Sequence, residues 1–149
     1  ETGLEKVMKI FAGFALALAF TCAMPVTSQA AALVAKVDIA TQTMTVVHRG
    51  VVKYRWKVST ARRGKVTPAG TWSAKWLSKN HRSSRYNNAP MPYSIFYNGN
   101  YAVHGTNQVN RLGSPASAGC IRLHTQNAAL LYKLAQKEGL KNTRIIVSR

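Results

Sequence analysis

One cysteine and one histidine lie at a spacing that suits nucleophilic catalysis. Cys120 lies in the run Ser-Ala-Gly-Cys-Ile-Arg-Leu at residues 117–123, and His104 begins the run His-Gly-Thr sixteen residues upstream. The thiolate is the reactive form of cysteine, so a nucleophile needs a group that takes its proton and surroundings that lower its pKa. A neutral imidazole accepts such a proton, and the resulting ion pair would keep Cys120 reactive near neutral pH. The pair predicts acyl transfer through a thioester.

The imidazole of such a pair needs a third group that fixes its tautomer. Asp38 and Glu138 are the only acidic residues after position 30, and neither is near His104 in sequence. We therefore predict that a backbone carbonyl takes this role. Gly105 is the candidate because it follows His104 directly and a glycine can turn its carbonyl inward.

The residues around Cys120 predict how an acyl group would be bound. Gly119 permits close approach of a substrate, and the N–H groups of Gly119 and Cys120 are candidates for stabilising an oxyanion. Arg122 adds positive charge that lowers the pKa of the thiol or holds a substrate carboxylate. Taken singly, these residues have simpler interpretations: a core thiol, a structural histidine, a surface arginine and, for Ser117, a turn hydroxyl. Their joint occurrence favours a catalytic site.

No cofactor or metal is expected at this site. His48, His81 and His124 are the remaining histidines, and their spacing relative to Cys120 fits no common zinc pattern. The expected chemistry therefore rests on side chains and backbone alone.

The first thirty residues differ from the rest of the chain. Met8-Lys9, an apolar run over 10–22, Pro25 and the small residues of Ser28-Gln29-Ala30 follow the order of a secretory signal. We predict an N-terminal extension and signal peptide over 1–30 and one catalytic domain over 31–149, with an uncleaved anchor as the alternative. The expected location is outside the cytoplasm, in the periplasm or cell wall.

The charge of the chain narrows the class of partner. Its net charge is +17, with 21 basic and 4 acidic residues. Such a field favours polyanions, although scattered basic residues also fit a merely solvated surface. Because the export signal argues against nucleic acid, the expected polyanion is an acidic cell-wall polymer or, at a peripheral contact, a membrane surface.

The elements that must position these residues are mostly strands. Alternating apolar residues predict strands over 34–39, 44–47 and 51–59, and further strands over 71–76, 94–97, 101–103 and 143–148. Alternation favours antiparallel sheet.

Asn98-Gly99 predicts a type I′ hairpin, while the polar stretch 78–92 and residues 105–119 are predicted loops. One helix is expected over 126–138, capped by Thr125, ended by Gly139 and buried through Leu130, Leu131, Leu134 and Ala135. The fold class is a mainly-β sandwich or barrel.

These motifs together resemble the YkuD-type L,D-transpeptidase catalytic domain. The resemblance rests on 104–106 and 117–123, on Thr67-Pro68-Ala69-Gly70, and on 88–92 and 101–103, which are similar to short exported Gram-negative members. It spans residues 34–149. Ala118 departs from the pattern, since many relatives have His or Arg there, which affects substrate contacts more than chemistry.

The resemblance implies a β-sandwich with one main helix near the C-terminus, acting on peptidoglycan stem tetrapeptides. It implies Cys120 as nucleophile, His104 as base and the carbonyl of Gly105 as orienting group, with substrate contacts from Gly119, Ser117 and Arg122. Tyr86, His81 and Met91 fall where a lid over the substrate is expected.

The acyl acceptor stays open at the level of sequence. A stem amine, a free D-amino acid or a lysine of an outer-membrane protein would give transpeptidation or protein attachment. Water would give a hydrolase, and a dead site would give a basic wall-binding protein. Intact Cys120, His104 and Arg122 argue against the last alternative.

Overall fold

Two β-sheets and one helix form the domain. A computed structural model of the chain describes residues 23–25 and 30–149. The first sheet has the strand order β3-β2-β1-β9-β4 and the second the order β5-β6-β7-β8. The strands are β1 Leu33–Asp38, β2 Thr43–His48, β3 Val51–Lys57, β4 Gly70–Ser73, β5 Trp76–Arg82, β6 Pro90–Asn98, β7 Tyr101–Thr106, β8 Ile121–His124 and β9 Thr143–Ser148. Short 3-10 turns occupy Val109–Arg111 and Leu140–Asn142.

A single apolar core joins the inner faces of both sheets to the helix α1, Thr125–Glu138. The first sheet contributes alternate residues such as Leu33 and Ile145, and the second contributes Val103 and Leu123. Burial of these side chains supplies most of the driving force for the fold. The predicted mainly-β sandwich with one main helix near the C-terminus is therefore confirmed.

The helix begins and packs slightly differently from the sequence-based expectation. His124, not Thr125, is the N-cap, and its Nδ1 accepts a hydrogen bond from the N–H of Gln126. Gly139 ends the helix as predicted, with φ of 88°. Leu130, expected on the buried face, is exposed, because the core is filled instead by Ala128, Leu131, Tyr132 and Ala135.

Two strand pairs are parallel, which alternation alone did not predict. β1 pairs with β9 in parallel, and β7 pairs with β8 in parallel. The β7–β8 connection over residues 107–120 returns the chain beside β7. The site described below depends on this pairing.

The hairpin between β6 and β7 turns one residue later than predicted. Asn98 pairs with Tyr101, so Gly99 and Asn100 form the two-residue turn. Gly99 has φ of 52°, whereas Asn98 and Asn100 do not have positive φ. Glycine at the first central position, with positive φ there alone, fits a type II′ turn rather than the predicted type I′.

The predicted loop over 78–92 is wrong at both ends. β5 extends to Arg82 and β6 begins at Pro90, leaving only 83–89 as a loop. Tyr93 has φ of 55°, and no Lys79–Tyr93 pair is recorded in the register. This irregularity interrupts the alternation, so that Met91 and Phe96, five residues apart, pack in the same cluster. The period-2 signal is lost for that reason.

The predicted signal sequence falls almost entirely outside the described residues. Residues 23–25 and 30 carry no regular secondary structure. Within the described part of the chain, the one long helix is too short and too polar to cross a membrane.

Candidate active site

The parallel pairing of β7 and β8 brings the predicted nucleophile and base to one face of the second sheet. His104 lies opposite Arg122, and Val103 lies opposite Ile121. Val103 and Ile121 point into the main core. Because side chains alternate along a strand, Ala102, His104, Cys120 and Arg122 point the other way.

That outer face lines a cleft of about 1190 Å³. Seven of the predicted site residues contribute to its walls: His81, Tyr86, Met91, His104, Ser117, Cys120 and Arg122. The two glycines are placed behind them. The structure thus brings together residues that are up to 41 positions apart in the sequence.

The imidazole of His104 is buried and held by backbone. Its Nδ1–H donates to the carbonyl oxygen of Gly105 at 2.7 Å. This bond fixes the tautomer and leaves Nε2 as the nitrogen that accepts a proton. Burial lowers the pKa of His104 to about 4; the bond to Gly105 opposes that shift, and the charge of Arg122 adds to it. The ring is therefore neutral at neutral pH.

The thiol of Cys120 is also neutral in this structure. Sγ lies 3.7 Å from the carbonyl oxygen of Asn100, which accepts its hydrogen. Burial raises the pKa of the thiol above its usual value, while the N–H of Ala102 and the charge of Arg122 act in the opposite direction. These surroundings favour the neutral thiol over the preformed ion pair that the sequence predicts.

Gly105 is required by space rather than by backbone conformation. Its φ is not positive, so freedom to turn the carbonyl does not explain a glycine here. A Cβ at this position would lie 2.9 Å from both Cα and Oγ1 of Thr125, at the start of the helix. Close packing of β7 against α1 therefore excludes a side chain at the position that orients His104.

The segment that leads to and includes Cys120, residues 112–120, is termed the cysteine loop. The hydroxyl of Ser117 donates to the carbonyl of Cys120 at 2.6 Å and accepts from the N–H of Gly119 at 3.0 Å. The N–H of Gly119 is therefore occupied, and its predicted oxyanion role is wrong in this arrangement. Among the described residues, no group accepts a hydrogen bond from the N–H of Cys120, so this donor is the remaining candidate for stabilising an oxyanion. Ser117 itself is fully buried and shapes the loop.

The cysteine loop is fastened to residues 58–67 of the chain. The backbone carbonyl of Thr60 accepts hydrogen bonds from the N–H groups of Ala116 and Ser117 at 2.9 Å each, and the backbone N–H of Arg62 donates to the carbonyl of Ser117 at 2.9 Å. The hydroxyl of Thr67 donates to the carbonyl of Gly119 at 2.7 Å and accepts from the N–H of Ala61 at 3.0 Å.

The role of Thr67 is one that reasoning from sequence missed. The run Thr-Pro-Ala-Gly at 67–70 predicts a turn and contributes to the family resemblance. It does not predict a contact with a residue 52 positions away. Thr67 is buried, so both of its hydrogen bonds are made away from water. They hold the backbone just before Cys120.

Gly119 also allows a close approach that a side chain would prevent. Its φ is 138°, and a Cβ would lie 2.7 Å from Cε1 of Tyr101 and 2.9 Å from the carbonyl oxygen of Val66. This glycine is the point at which the cysteine loop passes between two other segments. Any larger residue would displace Cys120.

Positive charge dominates the cleft. Arg62, Lys65, Arg85 and Arg122 line it, and no aspartate or glutamate does so within the described residues. Asp38 instead accepts the N–H groups of Ala40 and Thr41, and Glu138 pairs with His48 and Arg49. Arg122 is oriented by Gln108, whose Oε1 accepts from Nη1 at 3.2 Å. The cleft therefore suits a ligand with several carboxylates.

A loop over 83–89, termed the lid loop, borders the other side of the cleft. Tyr86 lies in it and is half-exposed, as a lid residue would be. The two other predicted lid residues belong to strands: His81 to β5 and Met91 to β6. They form a fixed wall, where Met91 packs with Phe96, Ala102 and Cys120. Within residues 23–25 and 30–149, no cluster of three metal-ligating side chains occurs.

Comparison with models of protein families gives a match over most of the chain. The family model YkuD, described as the L,D-transpeptidase catalytic domain, matches residues 33–147. No match to the curated proteins is found for the sequence.

Solved L,D-transpeptidases share the fold. LdtMt1, in complex with imipenem, superposes with a TM-score of 0.70 at 24% identity, over 78% of this chain and 59% of that one. The enzyme of Stackebrandtia nassauensis gives 0.70 at 23%, over 86% and 62%. L,D-transpeptidase 3 of Mycobacterium tuberculosis, in complex with a faropenem-derived adduct, gives 0.68 at 19%, over 79% and 60%. This chain therefore spans about three fifths of the length of these structures.

Proposed function

Because this chain belongs to the YkuD family of L,D-transpeptidase catalytic domains, we propose that it transfers acyl groups between peptidoglycan stem peptides through a thioester on Cys120. The donor is a stem tetrapeptide, and the products are cross-linked stems or proteins attached to the wall. The observation that carries the proposal is the placement of Cys120 and His104 on one face of the second sheet, inside one cleft.

The first half-reaction forms the thioester. Sγ of Cys120 attacks the carbonyl carbon of the third stem residue, and Nε2 of His104 takes the thiol proton. The N–H of Cys120 donates to the developing oxyanion. Collapse of the intermediate breaks the bond to the terminal D-residue, whose amine leaves with the proton from His104. Because His104 is neutral at rest, it can act first as base and then as acid.

The second half-reaction releases the acyl group. An acceptor amine attacks the thioester carbonyl and gives its proton to His104, and the thiolate of Cys120 leaves and is reprotonated. The net change is one amide bond exchanged for another. Water in place of the amine gives the tripeptide, so acceptor access to the cleft decides between a transferase and a hydrolase.

The charge of the cleft supports an anionic donor. Stem peptides carry carboxylates, and four cationic side chains line the cleft without a facing acid among the described residues. Arg122 lies opposite His104 in the strand pairing and close enough to affect the thiol. We assign to it the carboxylate of the donor segment next to the reacting carbonyl.

Product analysis tests the proposal. The full chain is incubated with disaccharide tetrapeptides, with and without added amines, and the products are identified by mass spectrometry. Cross-linked dimers and released terminal D-residue are expected, and Cys120→Ala is expected to abolish both. A lysine-bearing outer-membrane peptide in the mixture tests the protein acceptor directly.

The other outcomes separate the alternatives. Tripeptide without dimers would identify a hydrolase at the same site. No product, together with no covalent adduct on Cys120 after exposure to imipenem, would support a basic wall-binding protein. Activity that survives in Cys120→Ala would contradict the nucleophile assignment.

We also propose that the chain is exported and acts in the periplasm or cell wall. The proposal rests on the signal-like order of residues 8–30 and on the charge of +17. N-terminal sequencing of protein recovered from the cell envelope is expected to begin close to residue 31. Wall binding is expected to weaken with added salt, since exposed charges are screened; binding that does not depend on salt would contradict the electrostatic part.

A further inference from the structure

One aromatic side chain of the outer face extends beyond the cleft into solvent. Trp76 begins β5, the edge strand of the second sheet, and it is 45% exposed. Its indole stacks on the ring of Phe96 with centroids 3.9 Å apart and planes within 2° of parallel. The ring of His81 meets both aromatic rings edge-on.

This arrangement fixes one face of the indole and leaves the other open. Phe96 covers the inner side of the ring, and His81 restricts its rotation. A large, flat, rigid apolar surface with little rotamer freedom left to lose is suited to binding. Exposed apolar surface that continues from a cleft commonly marks a ligand groove.

Trp76 belongs to the same row of residues across the sheet as Cys120. Trp76 lies opposite Phe96, and Phe96 lies opposite Ala102. Cys120 comes one residue before the Val103–Ile121 pair, and hence beside Ala102. Phe96 and His81 line the cleft itself, and Phe96 packs with Ala102, Met91 and Cys120, so an apolar surface continues from the thiol outward to Trp76.

The distance along this row matches the length of a stem peptide. Three steps between neighbouring strands place Trp76 about 14 Å from Cys120. Three extended residues span about 10 Å, and the ether spacer between stem and sugar adds to that reach. A donor whose third residue is at Cys120 therefore brings its sugar to the position of Trp76.

We propose that Trp76, supported by Phe96 and His81, is a glycan subsite that stacks on an N-acetylated amino sugar of the donor strand. A pyranose ring presents a face of C–H groups, whose weak positive charge is attracted to the negative face of an indole. The inference rests on the proposed function, since it assumes that the donor is a stem attached to its sugar. Trp76 is a specificity residue and takes no part in bond making.

The test compares donors with and without sugar. Trp76→Ala is expected to raise KM for the disaccharide tetrapeptide about tenfold, the factor that burying a modest apolar area supplies. KM for the sugar-free tetrapeptide, and kcat for both donors, are expected to stay unchanged. Trp76→Phe is expected to retain part of the effect.

Trp56→Ala is the matched control. Trp56 also stacks on an aromatic neighbour, Tyr54, with centroids 4.8 Å apart, and also lies on an edge strand. Its strand belongs to the other sheet, and it does not line the cleft. Trp56→Ala is expected to leave unchanged the ratio of KM for the disaccharide tetrapeptide to KM for the sugar-free tetrapeptide. Equal effects of Trp76→Ala on both donors, or no effect on either, would overturn the subsite.

A binding measurement keeps the inference independent of turnover. Isotope-labelled Cys120→Ala protein is titrated with the stem-free disaccharide, and the indole resonances are followed by NMR. The resonance of Trp76 is expected to shift while that of Trp56 does not. An unmoved Trp76 resonance overturns the subsite even if the enzyme is active, whereas an inactive enzyme whose Trp76 resonance shifts contradicts only the proposed reaction.

Discussion

The cysteine loop and the lid loop border the same cleft but are held in opposite ways. The cysteine loop is bonded to residues 58–67, more than fifty positions earlier in the chain, through backbone and through Thr67. The lid loop is held by hydrogen bonds within 82–89. The N–H of Ser83 donates to the carbonyl of Ala89, and the guanidinium of Arg82 donates to the carbonyl of Asn88 at 3.1 Å. Asn87 and Asn88 also have positive φ.

The contrast predicts where the protein needs precision and where it permits motion. A nucleophile must be held to within a fraction of an ångström of its productive geometry. Segments that cover substrates come from the less stable parts of a structure, where contacts are few and local. We therefore expect changes in the cysteine loop to affect kcat, and changes in the lid loop to affect KM.

The largest change in kcat is expected from His104→Gln, which alters the rigid part of the site rather than the lid loop. Loss of this proton acceptor is expected to lower kcat by about 10²- to 10⁴-fold, the usual contribution of general acid–base catalysis. Fold and donor binding should persist, and circular dichroism together with donor titration checks both. Turnover within about threefold of the original enzyme would show that another group takes the thiol proton.

The pH dependence of the same residue gives a second test. Burial lowers the pKa of His104 to about 4, so the acid limb of kcat/KM is expected near pH 4. The unfolded chain takes up this proton near pH 6.5. Between these values the unfolded state binds the proton and the native state does not, so stability is expected to fall as pH is lowered.

Denaturant titrations of the original protein and His104→Gln over this range measure the difference. His104→Gln is expected to lose the part of the fall in stability at low pH that comes from protonation of His104 in the unfolded state. An acid limb near pH 6.5, with identical pH dependence of stability in both proteins, would contradict a buried neutral imidazole.

An intermediate effect is expected when the cysteine loop is released from its anchor. Thr67→Val keeps the shape but removes both hydrogen bonds, leaving the carbonyl of Gly119 and the N–H of Ala61 unsatisfied. The free energy of unfolding is expected to fall by about 1–3 kcal/mol, and kcat by about tenfold or more through misplacement of Cys120.

Thr67→Ser is the matched control, because it retains the hydroxyl. It is expected to recover most of the lost kcat. If Thr67→Val loses stability but keeps its kcat, the anchor serves the fold alone.

The smallest effect is expected on the lid side. Arg82→Ala removes the bond to the carbonyl of Asn88, which is exposed, and is expected to cost less than about 1 kcal/mol of stability. KM for the donor is expected to rise a few-fold while kcat stays the same. A fall in kcat comparable to that of Thr67→Val would erase the distinction between the two loops.

The same contrast explains how much could be predicted from sequence. The inner faces of the strands follow regular alternation, so the sandwich and the buried side of most strands were predictable. The positive φ of Tyr93 interrupts that pattern, and the edge strand β5 is mostly polar, so the sequence predicts a loop over 78–92. No local signal distinguishes such a strand from a turn-rich segment.

The residues of the candidate site could be named from the sequence, but the contacts that support them could not. Cys120, His104 and the carbonyl of Gly105 are recognisable because they are neighbours within two short motifs. The bonds from Thr60 and Thr67 to the cysteine loop join distant segments, which local patterns do not report. The neutral state of Cys120 arises from burial, which also depends on the folded chain.

Trapping the acyl-enzyme tests the central claim most directly. The protein is mixed with a disaccharide tetrapeptide and no amine acceptor, quenched in acid within the first turnover, and examined by intact-protein and peptide mass spectrometry. The account predicts an added mass equal to the disaccharide tripeptide acyl group, on the peptide that contains Cys120, and none in Cys120→Ala. An adduct on another residue, or product release with no adduct on Cys120 at any quench time, would contradict it.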